Sequence, residues 1–424
     1  MPKENAIKIR GAKERERESK LLHGFVKFFF SLFLFATLFF TVHSPVYAVT
    51  YYVATTGNDS NTTIQAQSSL TPWLTLQHAE ATATTGDTIN IATGTYVEND
   101  GSYHAWRPAK GISWIASGTV TVRSTDPANR VAMIEGSTTA SFSGITFDGN
   151  GVRENVVALG ANASNKTFTN CTFVGGTSTL FLQVSNGTSN NISVSGSTFT
   201  VTSYGVYSQS SRPFTNTTFS NNNFNISSGT TSFGIYSLGN SITFSGNTFT
   251  SNAGCSVTLS TGSSGTYGFA GNTFTASGGT PICLNSGSGT VTINQNNIFT
   301  QSANAKIINI SSGTWATTIS GNTFTSTNAT PTNDLIYLSG QANPTIQNNT
   351  INSSGTGTYS QIKISGSAAG TDTIDSNTLN QSGNASAITI LSGTGSALIT
   401  GNTINSTNTS QSYNLVVVRL RYVV

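Results

Sequence analysis

Charge is what this 424-residue chain has least of: 19 Lys and Arg and 16 Asp and Glu make up 8% of it, beside four His. Eight of the basic and four of the acidic residues lie in 1–48. Eleven basic and twelve acidic residues remain beyond, so the formal charge of +3 belongs to the N-terminus and the body is nearly neutral. No basic stripe is left to neutralise phosphates, which removes the electrostatic basis for binding nucleic acid. The three cysteines, Cys171, Cys255 and Cys283, are odd in number and without paired spacing. They supply neither a disulfide framework nor a metal-ligand motif, and each reads as a small core residue.

With 42 Gly and abundant Ser, Thr and Asn, the composition would suit a disordered chain. A hydrophobic content of 36%, including 24 Phe placed at fixed intervals, argues for a packed one. Residues 1–48 have the form of a secretory signal: a basic region ending near Lys27, an apolar run from Phe28 to Val42, and small residues around Ala48. The apolar run is shorter than the ~20 residues that span a bilayer comfortably. A secreted or cell-surface protein is expected, touching a membrane only through this segment.

The body repeats. The pattern apolar-x-x-Asn-x-apolar, as in Phe244-Ser-Gly-Asn247-Thr-Phe249, places its second apolar residue at Phe147, Phe173, Phe199, Phe224, Phe249, Phe274, Ile298, Phe324, Ile351, Leu379 and Ile404. The intervals are 26, 26, 25, 25, 25, 24, 26, 27, 28 and 25 residues, the period of a solenoid. Each interval holds a second strand-type segment, such as Leu335-Ile-Tyr-Leu338 or Ile362-Lys-Ile364, bounded by Gly, Ser and Asn. Helical periodicity is absent, as is the leucine framework of leucine-rich repeats. Short strands recurring every ~25 residues predict a parallel β-solenoid over 142–411, about eleven coils stacked at ~4.8 Å into a rod of about 50 Å.

Stacking places equivalent residues above one another, so Phe and Ile at the anchors form an inner column while their neighbours face outward. Asn222, Asn247, Asn272, Asn296, Asn322, Asn349, Asn377 and Asn402 then form a ladder at a turn, where amides can bond their neighbours and left-handed backbone is tolerated. Thr-Phe-Thr at 198–200, 248–250, 273–275 and 323–325 sets outward Thr pairs, with intervening coils interrupting the array. Residues 71–86 suggest a capping helix: Thr71 as N-cap, Pro72 in the first turn, an apolar stripe of Trp73, Leu76, Ala79 and Ala83, and Gly86 as the stop. The chain divides into a signal (1–48), an N-terminal cap and first strands (49–98), early irregular coils (99–141), the repeats (142–411) and a tail (412–424). That tail either folds across the last coil or continues into a longer protein.

Tyr51-Tyr-Val-Ala-Thr-Thr-Gly57-Asn-Asp-Ser60, Pro72-Trp73, Ala79, Gly86-Asp87-Thr-Ile89 and Ala92-Thr-Gly-Thr-Tyr96 resemble the N-terminal module of pectate-lyase-like right-handed parallel β-helix proteins. The resemblance covers residues 50 to about 411. It implies an all-β, single-stranded right-handed parallel β-helix, secreted or at the surface and associated with polysaccharide, without implying activity. Gly94-Thr-Tyr96-Val-Glu98 is similar to a short pectinesterase motif, but that family's later Asp-bearing motifs are missing. So are the Asn-Thr-Asp, Asp-Asp and Gly-His-Gly motifs of polygalacturonases.

Lyase chemistry on a uronate needs carboxylates to hold Ca²⁺ and a Lys or Arg to take the α-proton. Charged residues concentrate between Glu98 and Lys166, so a site, if present, is expected there. The catalytic candidates are Asp126, Asp148, Arg153, Glu154 and Lys166; His104, Arg107 and Arg130 are the substrate-binding candidates. Phe147-Asp148-Gly-Asn-Gly151 with Arg153-Glu154 stands out because an inward Phe147 turns Asp148 outward. The competing reading is a Gly-rich turn with surface ion pairs. Adjacent coils could also bring Asp126 and Asp148 into opposition, as a hydrolase requires. His78 and His104 stand isolated in the sequence, as solvated side chains do. Three functions follow: a monomeric, non-enzymatic or weakly carbohydrate-binding surface solenoid; a Ca²⁺-dependent polysaccharide lyase or relative; and an ice- or surface-binding adhesin. The residues leave the reaction open, and no cofactor other than Ca²⁺ is called for.

Overall fold

In the computed structural model, the described residues are 17, 19, 21–23, 25–28, 47–126, 129–160, 162–182, 189–208, 214–227, 233–237, 240–259, 264–366, 370–391, 395–407 and 415–419. The chain separates into two units, Met1–Ala48 and Val49–Val424. In the first, the described residues between Arg17 and Phe28 lie on helical backbone. The apolar run of the expected signal falls largely outside the described residues, as do the last five residues of the tail. Among the described residues no helix is long and apolar enough to cross a membrane.

The second unit winds into three parallel sheets. One coil shows the plan: Asn240–Ser245 lies in sheet A, Thr248–Ser251 in sheet B and Cys255–Leu259 in sheet C. The next coil repeats it with Ser264–Ala270, Thr273–Ala276 and Thr280–Leu284, each paired in parallel with its counterpart. The stack begins at Thr50–Val53 on Thr88–Glu98 and runs to Val416–Arg419 on Ser386–Leu391. Strands of alternating pattern form because every second side chain enters the interior. In Thr248–Ser251, Phe249 and Ser251 are buried while Thr248 and Thr250 are exposed.

The interior of sheet B is a stack of rings. Phe147, Phe173, Phe199, Phe224, Phe249, Phe274, Phe299 and Phe324 are all fully buried. Successive centroids lie 4.5–5.5 Å apart. Each such ring contributes roughly 1.5–3 kcal/mol by burial and about 0.5–1.5 kcal/mol per stacked pair beyond area. The column continues downward in register through Val122 to Tyr96.

One anchor differs from the expectation. Ile298 is 48% exposed, and Phe299 takes the column position. The turn after Ile293 carries one extra residue, accommodated by left-handed backbone at both Gln295 (φ 56°) and Asn296 (φ 63°). The ladder residue is therefore Asn297, fully buried, while Asn296 is an exposed turn residue. The other seven ladder asparagines sit as expected. Each amide nitrogen from Asn222 to Asn377 donates to the next Oδ1 at 2.9–3.1 Å. The same Oδ1 also accepts that residue's backbone N–H. The left-handed residue is the one before the ladder position, Gly246 (φ 62°) or Asn348 (φ 55°), so the ladder asparagines serve hydrogen bonding and their predecessors take the turn. Below Asn222 the ladder continues through Ser197 to Cys171, whose thiol points at the Phe142 carbonyl, 3.3 Å away.

Two further expectations are corrected. Cys255 and Cys283 form a disulfide between adjacent sheet C strands. The capping helix is Leu76–Thr82, capped by the Thr75 hydroxyl accepting from His78 N–H at 3.1 Å. Thr71 and Pro72 precede the helix instead of opening it, because Trp73 bonds in parallel to the first strand (Trp73 N to Tyr52 O, 2.9 Å; Ala54 N to Trp73 O, 2.9 Å). The stripe of Trp73, Leu76, Ala79 and Ala83 is buried as expected. At the other end Ile399 and Ile404 are only partly buried.

Candidate functional site

The charged residues of 98–166 occupy two outer faces and the interior. On the outer face of sheet B, Asp148 accepts from Arg123 Nε at 2.8 Å and Nη2 at 2.5 Å. The pair forms because Val122 and Phe147 are register partners, which stacks the residues that follow them. Asp148 also accepts the Asn150 N–H. Asp126 is exposed two residues past the strand Ser113–Ser124. Arg153 and Glu154 lie on the strand Ala140–Leu159, with Arg153 opposite Gly176; their side chains fall outside the described residues.

Sheet C sets His104 beside Arg130 as register partners. The His104 ring meets Asp100 at 3.2 Å, and Arg107 Nε donates to Glu135 at 2.7 Å across adjacent coils. Lys166 is elsewhere: it is fully buried and donates to the carbonyls of Gly136 (2.9 Å) and Thr138 (2.5 Å). Burial pulls its pKa down to about 8, opposed by the charge of Glu80. The structure thus joins Arg123 to Asp148, Arg107 to Glu135 and His104 to Asp100, sets Arg130 beside His104 in strand register only, and places Lys166 away from these, inside the coil.

Buried carboxylates in the N-terminal module hold backbone N–H groups. Glu80 accepts from Ala109 and Lys110, Glu98 from Leu76 at the start of the helix, and Asp87 from Val49 and Thr84. Burial raises the pKa of both Glu80 and Glu98. Among the described residues no group of three or more His, Cys, Asp or Glu side chains is placed to hold a metal ion.

A further candidate site lies in the last coils, outside the residues expected from the sequence. A groove of about 430 Å³ runs along the edge of sheet B between Thr325 and Thr407. Its floor is an outward asparagine column: Asn380 Nδ2 donates to Asn352 Oδ1 at 2.7 Å, and Asn405 Nδ2 to Asn380 Oδ1 at 2.8 Å. Thr327, Ser354 and Ser382 line it, and none of the described residues lining it is charged. The signal for it is the recurrence Thr350-Ile-Asn352, Thr378-Leu-Asn380 and Thr403-Ile-Asn405. On sheet C, Tyr337 carries Lys306 4.1 Å above its ring, and Lys363 bonds Asp334 at 3.1 Å.

Residues 233–409 match the family described as the right handed beta helix region. This region is a right-handed parallel β-helix. No curated protein sequence matches the chain. Among solved structures, a rhamnogalacturonan lyase is similar at 15% identity and TM-score 0.39, over 72% of this chain and 82% of that one. PfbA, a surface adhesin of Streptococcus pneumoniae, is similar at 13% and 0.40, over 79% and 85%. A tailspike protein of E. coli bacteriophage HK620, in complex with a hexasaccharide, is similar at 14% and 0.38, over 74% and 71%. None of these likenesses assigns a role to a residue of this β-helix.

Proposed function

We propose that the protein is a glycan-binding solenoid, secreted or held at the cell surface, that lays an uncharged polysaccharide along the groove between Thr325 and Thr407. The observation that carries this reading is the Asn352–Asn380–Asn405 column, whose amides repeat donors and acceptors once per coil, every ~4.8 Å, along a groove lined by Thr, Ser, Asn and Gln residues. An extended polymer parallel to the axis meets the same polar groups at each rung. A polyuronide would find no cation among the described residues of the groove to offset desolvation of its carboxylates. Titration calorimetry against neutral and uronate polysaccharides tests the reading. Neutral chains bind, and Asn380→Ala weakens binding roughly five- to tenfold, from about 1 kcal/mol for a lost hydrogen bond. Unchanged affinity in that variant, or a preference for uronates, refutes it.

The outward Arg123–Asp148 pair carries a second reading, a polysaccharide lyase in the early coils, although Arg123 already engages the Asp148 carboxylate and no carboxylate cluster among the described residues is placed to hold Ca²⁺. Polyuronide turnover followed by ultraviolet absorbance, and lost in Asp148→Ala, would support it.

A further inference from the structure

The outer face of sheet B carries two columns of side chains in continuous register. The first runs from Thr95 to Thr403, and only Asn223 and Ile298 in it are not threonine. In the second, Thr250, Thr275, Thr300 and Thr325 occupy four consecutive coils. Placing Phe299 in the core puts Thr300 in line, so the paired array is less broken than the Thr-Phe-Thr spacing suggests. From Thr198 to Asn405 neither column contains a charged or aromatic residue. No bulge interrupts sheet B between these coils.

We propose that this face, centred on Thr248–Thr325, binds ice. The face lies beyond the glycan groove and meets it only at Thr325. Threonines one coil apart are separated by ~4.8 Å and those two positions along a strand by about 6.6–6.8 Å, giving a rectangular net of hydroxyl and methyl groups. The two spacings are close to oxygen repeats in the faces of ice. Threonine is stiff at χ1, and the backbone beneath rests on the stacked Phe column and the Asn ladder, so the net is ordered before contact. Each hydroxyl gains little by replacing water with water-like lattice, so such a face has net affinity only where many contacts add in phase, on a periodic solid. The absence of charge disfavours an ionic mineral. The absence of aromatic rings disfavours the stacking by which a crystalline polysaccharide would be held. Ice remains.

The test is partition of the full-length protein into a slowly grown ice front, measured against an unrelated globular protein of similar size. The wild type is expected several-fold enriched in the ice fraction. Thr275→Tyr with Thr300→Tyr, which raises two rings from the centre of the net, is expected to fall to the control level. Thr292→Tyr, on the outer face of sheet A, is expected to partition as wild type. Far-ultraviolet dichroism checks the fold of each variant; if the double variant unfolds, Thr300→Lys alone replaces it. Exclusion of the wild type from ice overturns the proposal, and so does undiminished partition of a folded variant altered at Thr275 or Thr300.

Discussion

Replacing Asn297 by Ala removes a side chain with bonds to three coils. Its Oδ1 accepts the Asn272 backbone N–H and amide, both at 2.9 Å, and its Nδ2 donates to Phe269 O (3.0 Å), Asn294 O (2.6 Å) and Asn322 Oδ1 (2.9 Å). Water cannot restore these bonds at a fully buried position. The Asn272 backbone N–H loses its acceptor outright, and the Phe269 carbonyl loses a donor. At roughly 1–3 kcal/mol per orphaned group, the local cost is about 3–5 kcal/mol. A solenoid opens locally, so hydrogen exchange of amides in 269–275 is a better readout than a global melting point. Exchange through opening is expected to accelerate roughly a hundredfold to several thousandfold, at 1.4 kcal/mol per factor of ten. Asn296→Gly is the control: this exposed residue has φ 63°, where glycine is at ease, and exchange should change less than about threefold. Equal effects at the two positions, or a larger one at Asn296, would refute the ladder assignment.

Opening the Cys255–Cys283 bridge by Cys283→Ser is expected to destabilise the coils it joins by about 3–4 kcal/mol, the loop-closure value for a 28-residue separation; matched denaturation with and without reductant measures this. Lys166 has a folded-state pKa of about 8 against 10.5 unfolded, so the unfolded chain binds more protons between those values and stability rises with pH across that window. Relative to Lys166→Met, the wild type is therefore expected to gain up to about 3 kcal/mol between pH 8 and 10.5; parallel stability curves would contradict this.

The coil and its aromatic column were legible because a ring recurring every 25 residues has no other use in a chain so poor in helical pattern. Where the fold departed from that reading, register decided. Between Ile293 and Phe299 one added residue let Asn296 and Asn297 both satisfy the spacing, and only burial of Phe299 distinguishes them. The disulfide was hidden because its cysteines are 28 residues apart rather than 25: Cys283 stands opposite Thr258, three residues past Cys255. Lys166 was legible as a charge but not as a buried one, although its register partners Ala140 and Ile192 are both core residues. The asparagine groove went unread because Asn352, Asn380 and Asn405 lie beside an already conspicuous Asn series, and only the outward face makes them a site.

Paired spin labels measure the winding most directly. In a Cys171→Ala background, labels at Thr250 and Thr325 lie three coils apart on one outer column, and labels at Thr250 and Asn405 lie six apart. The parallel stack predicts narrow distributions near 14 Å and 29 Å, a doubling set by the ~4.8 Å rung spacing. Distances that fail to double, or a broad distribution for the longer pair, would contradict the β-helix on which the groove and the threonine face both rest.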